Sequence, residues 1–519
     1  MAYEPQKTDL IKYANGLNKL IRDFDEIYRQ QHCHPYQQLY QYMEQIISEI
    51  IKIQWNIIHL LNEWKRSQQK SIIVGTIDMS IFDDIQRCNT FIIKFYLNFL
   101  TVNEMCNNEW FSNFSQEIGH QLQSLLQNAF VVIEQPCSNI LKHDPLTIIS
   151  NAKFEVKIGL LFSYQLLPNN CKKWLESLDM RLLAEDEIRL VMNEGLDAIR
   201  LRKSSFNIIN KVEPILNIEN EILTIMITCN LKVDINRRGH NPKAIPVTEN
   251  KFKFIFWLGI DFPGLKFTLH TFSLPVNVLS RKDYRNSYAT IIWDNAFAVD
   301  NRKMFETRTS VAWSELAIVL NEKFHKDVGV YLSQEHLNFI RTMIPNGNEY
   351  NKDLITWEQF AKTPLPMRQF TFFEWFYKIL ILVRDYLKKM YTDGLIHGFI
   401  SSEMSEKLLQ GCIDGTFLIR FSETFCGAIT VAYVQNRKFD KLLPWDLDRL
   451  KKMSVSHTIK SADFLLYLYP NIPKNDVFCK YYVHNNGMIR SITGKDYSCD
   501  TDIATQVSPI NDIEQISNS

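Results

Sequence analysis

The stretch GTFLIRFSE, Gly415 to Glu423, has the composition of a buried strand, yet an arginine stands in its middle. Side chains alternate along a strand, so Phe417, Ile419 and Phe421 share one face while Leu418, Arg420 and Ser422 share the other. The aromatic face needs a core, and the second face offers a guanidinium beside a hydroxyl. A charge set so deep is costly unless a partner supplies hydrogen bonds and opposite charge. Either an internal carboxylate, Glu423 or Asp414, neutralises Arg420, or the site awaits an anion. By strand alternation Glu423 falls on the face away from Arg420, which favours the second reading.

Around this stretch lies a chain of 519 residues, 46% hydrophobic and 22% charged, which suits several packed globular domains. Lys+Arg and Asp+Glu both number 58, so any polyanion site must be a local patch. Met1 to Leu20 is polar and does not read as a signal peptide, and the apolar run Phe370 to Val383 is too short to span a bilayer and contains Glu374 and Lys378. No membrane insertion is expected, and the expected location is cytoplasmic and nuclear. The ten cysteines form no CxxC pair, and none is followed six residues later by the arginine of a phosphatase loop; they read as scattered reduced thiols. There is no Gly-rich phosphate loop, G-x-S-x-G or H-E-x-x-H, so neither an enzyme nor a cofactor is expected. HCHPY, His32 to Tyr36, has metal-like residue types but no second ligand pair, and reads as a polar turn rather than a metal site.

Towards the N-terminus, Leu39, Met43, Ile46, Ile50, Ile53, Ile57, Leu60 and Trp64 recur at alternating spacings of four and three, which predicts one long helix with a coiled-coil seam. Apolar runs at Leu10 to Tyr28, Ile81 to Met105 and Trp110 to Val132 could close a four-helix bundle over it, as a structural support or a docking surface. Near Val131 the texture changes to β-branched and aromatic runs (FVVIEQPC, KFEVKIGLLFSY, LTIMITCNLKV, KFKFIFWLGI), which predicts an antiparallel barrel or sandwich over 131–300. From Ser310 helices return, with Ser310 and Ser333 as expected caps. A last long helix, about Thr371 to Met390, leads into the opening stretch. The expected fold class is thus multidomain α+β: a bundle over 1–130, a β domain over 131–300, a helical linker over 301–391, a further module over 392–483 and a tail over 484–519.

Gly398 to Val434, GFISSEMSEKLLQGCIDGTFLIRFSETFCGAITVAYV, resembles the Src-homology 2 (SH2) domain, a sheet flanked by two helices that binds phosphotyrosine. The resemblance implies that Arg420 grips the phosphate through two parallel N–H···O bonds, a geometry lysine cannot copy. Ser422 and Thr424 match hydroxyls of the family's phosphate cradle, and Glu423 between them joins the phosphotyrosine-binding set. Such a ligand brings about −1.5 to −2 charges, and losing Arg420 is expected to cost about 2–5 kcal/mol of affinity. Ser402 departs from a lysine in the family pattern GFISKE, and Lys407 lies five residues on, so weaker binding is implied.

The resemblance extends further. LLNEWKRSQQ (Leu60 to Gln69), FVVIEQPC (Phe130 to Cys137), RKSSFNI (Arg202 to Ile208), PVTEN (Pro246 to Asn250), NSYATIIWDN (Asn286 to Asn295), AWSELAIVL and YLYPNIPKNDVFCKYY (Tyr467 to Tyr482) resemble, in order, landmarks of the STAT family of latent transcription factors. That implies a coiled-coil bundle, an immunoglobulin-like β DNA-binding domain, a helical linker, the SH2 domain and a tail. Family members carry a further N-terminal helical domain and a long acidic activation segment. Both ends are short against that pattern, so activation is expected to need a partner, or the protein to repress.

In the family a tail tyrosine is phosphorylated and inserted into the partner's pocket, reciprocally, giving a twofold homodimer whose second contact forms at high effective concentration. Tyr497 in GKDYSCDTD, after a polar stretch 483–496 read as a flexible linker, matches that position. Ser498 and Cys499 depart from the family's Y-[VIL]-K, and the rivals Tyr481 and Tyr482 match a KYY that packs structurally. Basic clusters at Arg200, Arg202 and Lys203, at Arg237, Arg238 and Lys243, and at Arg281, Lys282 and Arg285 suit phosphate contacts. The RLRKSSF loop and PVTEN, with Thr248 and Glu249, align with family contact loops, and Asn286 matches the asparagine that approaches base edges. Implied partners are double-stranded near-palindromic DNA, a tyrosine kinase or phosphorylated receptor, and transcriptional co-regulators on the bundle, in cytokine-like signalling, immunity or development. The alternatives are an SH2-containing adaptor whose β domain has lost DNA affinity, and a dimerising repressor without activation function.

Overall fold

The helix read from the Leu39 to Trp64 seam runs from Tyr36 to Val74. The computed structural model describes residues 36–75, 79–106, 109–167, 175–200, 206–212, 214–219, 221–233, 250–262, 264–279, 287–299, 305–345, 353–481, 484–485, 488–490 and 496–497, with scattered positions between 15 and 26. The chain divides into two compact units, Met1–Thr307 and Arg308–Ser519.

In the first unit, Ile46, Ile50, Ile57 and Trp64 of the seam are buried, with Ile53 and Leu60 half-buried. Ile47, Leu61, Gln54 and Gln68 are buried as well, so the stripe is wider than a two-position seam, as a helix packed by several neighbours requires. Those neighbours include the helices Phe82–Cys106 and Glu109–Ala129. The fourth expected helix, at Leu10 to Tyr28, lies mostly outside the described residues. Gln54 inside the bundle is satisfied by its neighbours: its amide donates to the Gln121 carbonyl (3.1 Å) and accepts from the Tyr96 hydroxyl (2.8 Å).

Ala129 ends a helix and Phe130 begins a strand. Phe130–Ser138, Lys153–Ser163 and Ile222–Val233 pair antiparallel in that order, and the far edge of the last is shared by Phe206–Ile209 and Ile215–Glu219. A second antiparallel sheet joins Asp179–Leu183, Lys253–Phe262 and Leu265–Phe272. Phe154 of the first meets Phe254 of the second with ring centroids 5.1 Å apart, so the sheets share a core, the sandwich the alternating runs predicted. One pair departs from the antiparallel expectation: Asn277–Leu279 runs parallel to Thr147–Ile149. These segments are far apart in the chain, so no hairpin fixes their sense.

In the second unit Ser310 does not cap a helix. Ser310–Ala312 pairs as a strand with Leu354–Thr356, and the helix Trp313–Val328 starts from Ala312, whose N–H donates to the Glu315 carboxylate at 3.2 Å. A glutamate three residues inside the helix replaces the hydroxyl that the sequence suggested. Ser333 does cap, accepting from the His336 N–H at 3.2 Å. Thr371 caps Phe372–Leu382 in the same way, and that helix continues through a wider turn, Val383–Leu387, to Lys388–Thr392.

The strand Thr416–Phe421 lies in a sheet between Ala428–Gln435, antiparallel, and Tyr467–Leu468, parallel. All six of its residues are buried, because both faces are covered. Leu418 packs with Ile400, Leu409, Ala432 and Val434 on the side of the helix Ser402–Leu409. Phe421, on the other face, meets Phe399 at 4.6 Å and Tyr391 at 5.9 Å. The alternation read from the sequence therefore holds to the end of the strand. The stretch 483–496, read as a flexible linker, is different: among the described residues His484–Asn485, Met488–Arg490 and Asp496–Tyr497 form an antiparallel three-stranded sheet, with Ile489 opposite Tyr497. Asn485 pairs with Met488 and His484 with Ile489.

Candidate phosphotyrosine site

Arg420 is held from three sides. Its residue is a parallel bridge partner of Gly398, whose carbonyl accepts from the Phe421 N–H at 2.9 Å. Gly398 sits at φ +93°, and a Cβ there would lie 3.1 Å from the His336 ring, so a side chain at 398 would push this edge away. Across the sheet Arg420 pairs with Thr430. The residue is only 3% exposed. Nη1 donates to the carbonyls of Phe421 (3.1 Å) and Ile400 (3.4 Å), while the buried Nε has no partner among the described residues. Burial holds the guanidinium below its ordinary range, opposed only in part by Glu423.

Glu423 corrects one expectation. It was placed on the face away from Arg420, yet its Oε1 lies 3.8 Å from Arg420 Nη2. The strand ends at Phe421, and alternation ends with it. The Ser422 hydroxyl accepts from the N–H groups of Thr424 (3.3 Å) and Phe425 (3.1 Å), which folds the next residues into a tight turn and swings Glu423 back over the pocket. At 3.8 Å this is an ion pair without a hydrogen bond. The carboxylate instead accepts from the Ser402 main-chain N–H at 3.1 Å. Asp414, the other internal candidate, accepts from the Arg437 N–H at 2.8 Å and is not a partner of Arg420.

The turn itself is anchored. The Ser422 N–H donates to the Ala428 carbonyl (2.8 Å), and the indole of buried Trp375 donates to the Ser422 carbonyl (2.8 Å). The Thr424 hydroxyl lies 3.3 Å from that of Ser422. Gly427 closes the turn at φ +67°, where a Cβ would come within 2.6 Å of Lys378 Cβ. Lys407, in the stretch where a second cation was sought, is exposed and pairs with Glu403 at 2.6 Å. The pocket is therefore a buried guanidinium with an unengaged N–H, two hydroxyls on one turn and a carboxylate at its rim. The Ser402 N–H and the Phe425 N–H were not read from the sequence, because main-chain groups leave no residue-type signal.

Three family models match the chain: the STAT protein DNA-binding domain over residues 134–279, the signal transducer and activator of transcription linker domain over 300–376, and the SH2 domain over 395–469. The Drosophila melanogaster signal transducer and transcription activator is 27% identical over 428 residues, 80% of this chain. Signal transducer and activator of transcription 4 is 27% identical over 473 residues, 85% of this chain, in both Mus musculus and Homo sapiens. The chain belongs to the STAT family. It spans 55%, 61% and 62% of the length of these three relatives.

For this STAT protein the other candidate positions fall largely outside the described residues: Arg202, Lys203, Thr248, Glu249, Arg281, Lys282, Arg285 and Asn286, and with them Arg237, Arg238 and Lys243. The first four lie inside the matched DNA-binding model and the next four beyond its end at 279. Their described neighbours are firmly set. Arg200 pairs with Asp197 at 3.1 Å. The helix Ser287–Phe297, which follows Asn286, buries Tyr288, Ile291, Ile292 and Trp293. Its Asp294, 1% exposed, accepts from Lys251 at 2.7 Å, and Lys251 also donates to the Phe305 carbonyl at 2.7 Å. Asn277 donates to the Asn250 carbonyl at 3.1 Å. The end of PVTEN and the helix after Asn286 are thus tied by one buried ion pair. Tyr497 is described in its backbone only, as part of the strand Asp496–Tyr497. Tyr481 packs structurally as the sequence suggested: it is buried, its hydroxyl donates to Asp393, and burial first and Asp393 second push its phenol up.

Proposed function

We propose that this STAT-family chain is a latent, sequence-specific transcription factor switched by tyrosine phosphorylation. Arg420 takes the phosphate of a phosphotyrosine, with the hydroxyls of Ser422 and Thr424 completing the cradle and Glu423 at its rim. Tyr497 is the phosphorylated residue, and reciprocal insertion makes a homodimer that grips near-palindromic DNA. Arg202, Lys203, Arg281, Lys282 and Arg285 hold the backbone, while Thr248, Glu249 and Asn286 approach the bases. A tyrosine kinase or phosphorylated receptor acts upstream, co-regulators dock on the bundle, and the protein moves from cytoplasm to nucleus to control RNA polymerase II genes. No catalytic role is assigned.

The observation that carries this reading is Arg420: among the described residues its buried guanidinium keeps an N–H without a partner, and the Glu423 carboxylate stands beyond hydrogen-bond distance. An anion that brings two acceptor oxygens supplies what the fold leaves open. Gel shift and sedimentation of the kinase-treated chain against a palindromic site test the whole sequence of events. The expected result is dimer and DNA complex after phosphorylation, and neither in Tyr497→Phe. Phosphorylated dimer without DNA complex would favour the adaptor reading.

A further inference from the structure

In the first unit, the bundle meets the two sheets around a cavity of about 290 Å3. The helix Tyr36–Val74 contributes Lys65 and Gln68 to its wall, the helix Glu109–Ala129 contributes Gln127, and the strands contribute Gln135, Lys253 and His270. The three amides are already committed. Gln68 donates to the carbonyls of Val132 (2.8 Å) and Ile133 (3.1 Å). Gln135 donates to Gln68 Oε1 (3.0 Å) and accepts from the Leu274 N–H (2.8 Å). Gln127 donates to the His270 carbonyl and accepts from its N–H (3.2 Å). They build the frame, and the lining also holds ionisable groups.

Those groups are all basic. Lys65, Lys253 and His270 line the cavity, and no aspartate or glutamate does among the described residues. Lys65 follows buried Trp64, and its ammonium has no hydrogen-bond or ion-pair partner among the described residues. Burial pushes it below the ordinary lysine range with no carboxylate to offset the shift, and burial likewise lowers the His270 imidazole. For Lys65, a half-buried cation without a counter-ion among the described residues, an entering anion relieves an unfavourable arrangement. The space equals roughly ten water molecules, enough for a compact anion with more than one charged group. Lysine ammonium groups act as point charges for phosphate or carboxylate oxygens.

We propose that this cavity binds a compact polyanion bearing phosphate or carboxylate groups, clasped by Lys65 on the bundle and by Lys253 and His270 on the sheet. Such a ligand fastens the bundle to the β domain, and it stabilises this unit independently of the Arg420 pocket.

The test uses the full chain carrying Arg420→Ala, which silences the other phosphate site, titrated calorimetrically with inorganic pyrophosphate and, separately, with citrate. The expected result is binding of at least one probe with a Kd below about 1 mM, weakened tenfold or more by adding Lys65→Gln. Pyrophosphate alone identifies phosphate chemistry, citrate alone carboxylate chemistry, and both the shared polyanion. Lys253→Gln repeats the measurement should Lys65→Gln not fold. In the same Arg420→Ala chain, the bound probe must slow amide exchange around residues 65–68 and 265–274. Failure of both probes to bind, unchanged affinity in the lysine variants, or exchange protection elsewhere overturns the proposal.

Discussion

Glu423→Gln separates the two roles the pocket gives this residue. In the free protein its carboxylate lies 3.8 Å from Arg420 Nη2 and accepts from the Ser402 N–H at 3.1 Å. At an effective dielectric near 20 the Coulomb attraction over that distance is about 4 kcal/mol. The carboxylate is 24% exposed, and solvent reduces the useful part to about 1 kcal/mol. Glutamine keeps the acceptor for Ser402 and removes the charge, so the free fold should lose about 1 kcal/mol or less. Against a phosphate seated on Arg420, the same carboxylate is a like charge at comparable range. Removing it should therefore tighten phosphopeptide binding about fivefold, again near 1 kcal/mol. Fluorescence polarisation with a peptide spanning Gly494 to Asp502 and phosphorylated at Tyr497 reads the affinity, and thermal melting reads the fold. A tenfold loss of affinity in a folded Glu423→Gln protein would refute the reasoning, since it would mean that the carboxylate orients Arg420 for the ligand rather than competing with it.

Two further outcomes follow from the same geometry. Ser402→Lys adds a cation beside the Glu423 rim and should tighten the same phosphopeptide by about 1 kcal/mol, roughly fivefold, while leaving the unphosphorylated peptide unbound; an unchanged Kd would show that position 402 does not face the phosphate. Lys251→Met removes the ammonium that pairs at 2.7 Å with Asp294, a carboxylate 1% exposed. The expected cost is about 3–5 kcal/mol, seen as a large drop in melting temperature of the first unit, and a melting temperature equal to that of the parent protein would contradict it.

What the sequence revealed and what it hid follow from which interactions residue types can encode. The strand 416–421 was legible because alternation is local: one aromatic face, one face with Arg420, and both found their packing. The same rule misplaced Glu423 one residue past the strand end, where a serine hydroxyl capturing two N–H groups reverses the chain. Ser310 was misread as a cap because strand pairing with Leu354–Thr356, a partner far along the chain, claims its backbone. The pairing of His484–Asn485 with Met488–Arg490 was obscured by the polar composition around it. The wider buried stripe on the long helix reflects Gln54 and Gln68, polar residues that count as core only once their partners are known. The resemblance to STAT proteins supplied what local rules could not, the family identity of those successive regions, and the three family models match in the same order.

The account rests on the proposal that the Arg420 guanidinium takes a phosphate. Isothermal titration of the Tyr497 phosphopeptide into the intact chain and its Arg420→Lys variant measures this directly. Loss of one N–H fork should weaken binding by about 2 kcal/mol or more, thirtyfold, with both proteins melting as folded species and the unphosphorylated peptide binding neither. Equal affinity of the two proteins for the phosphopeptide would contradict the account.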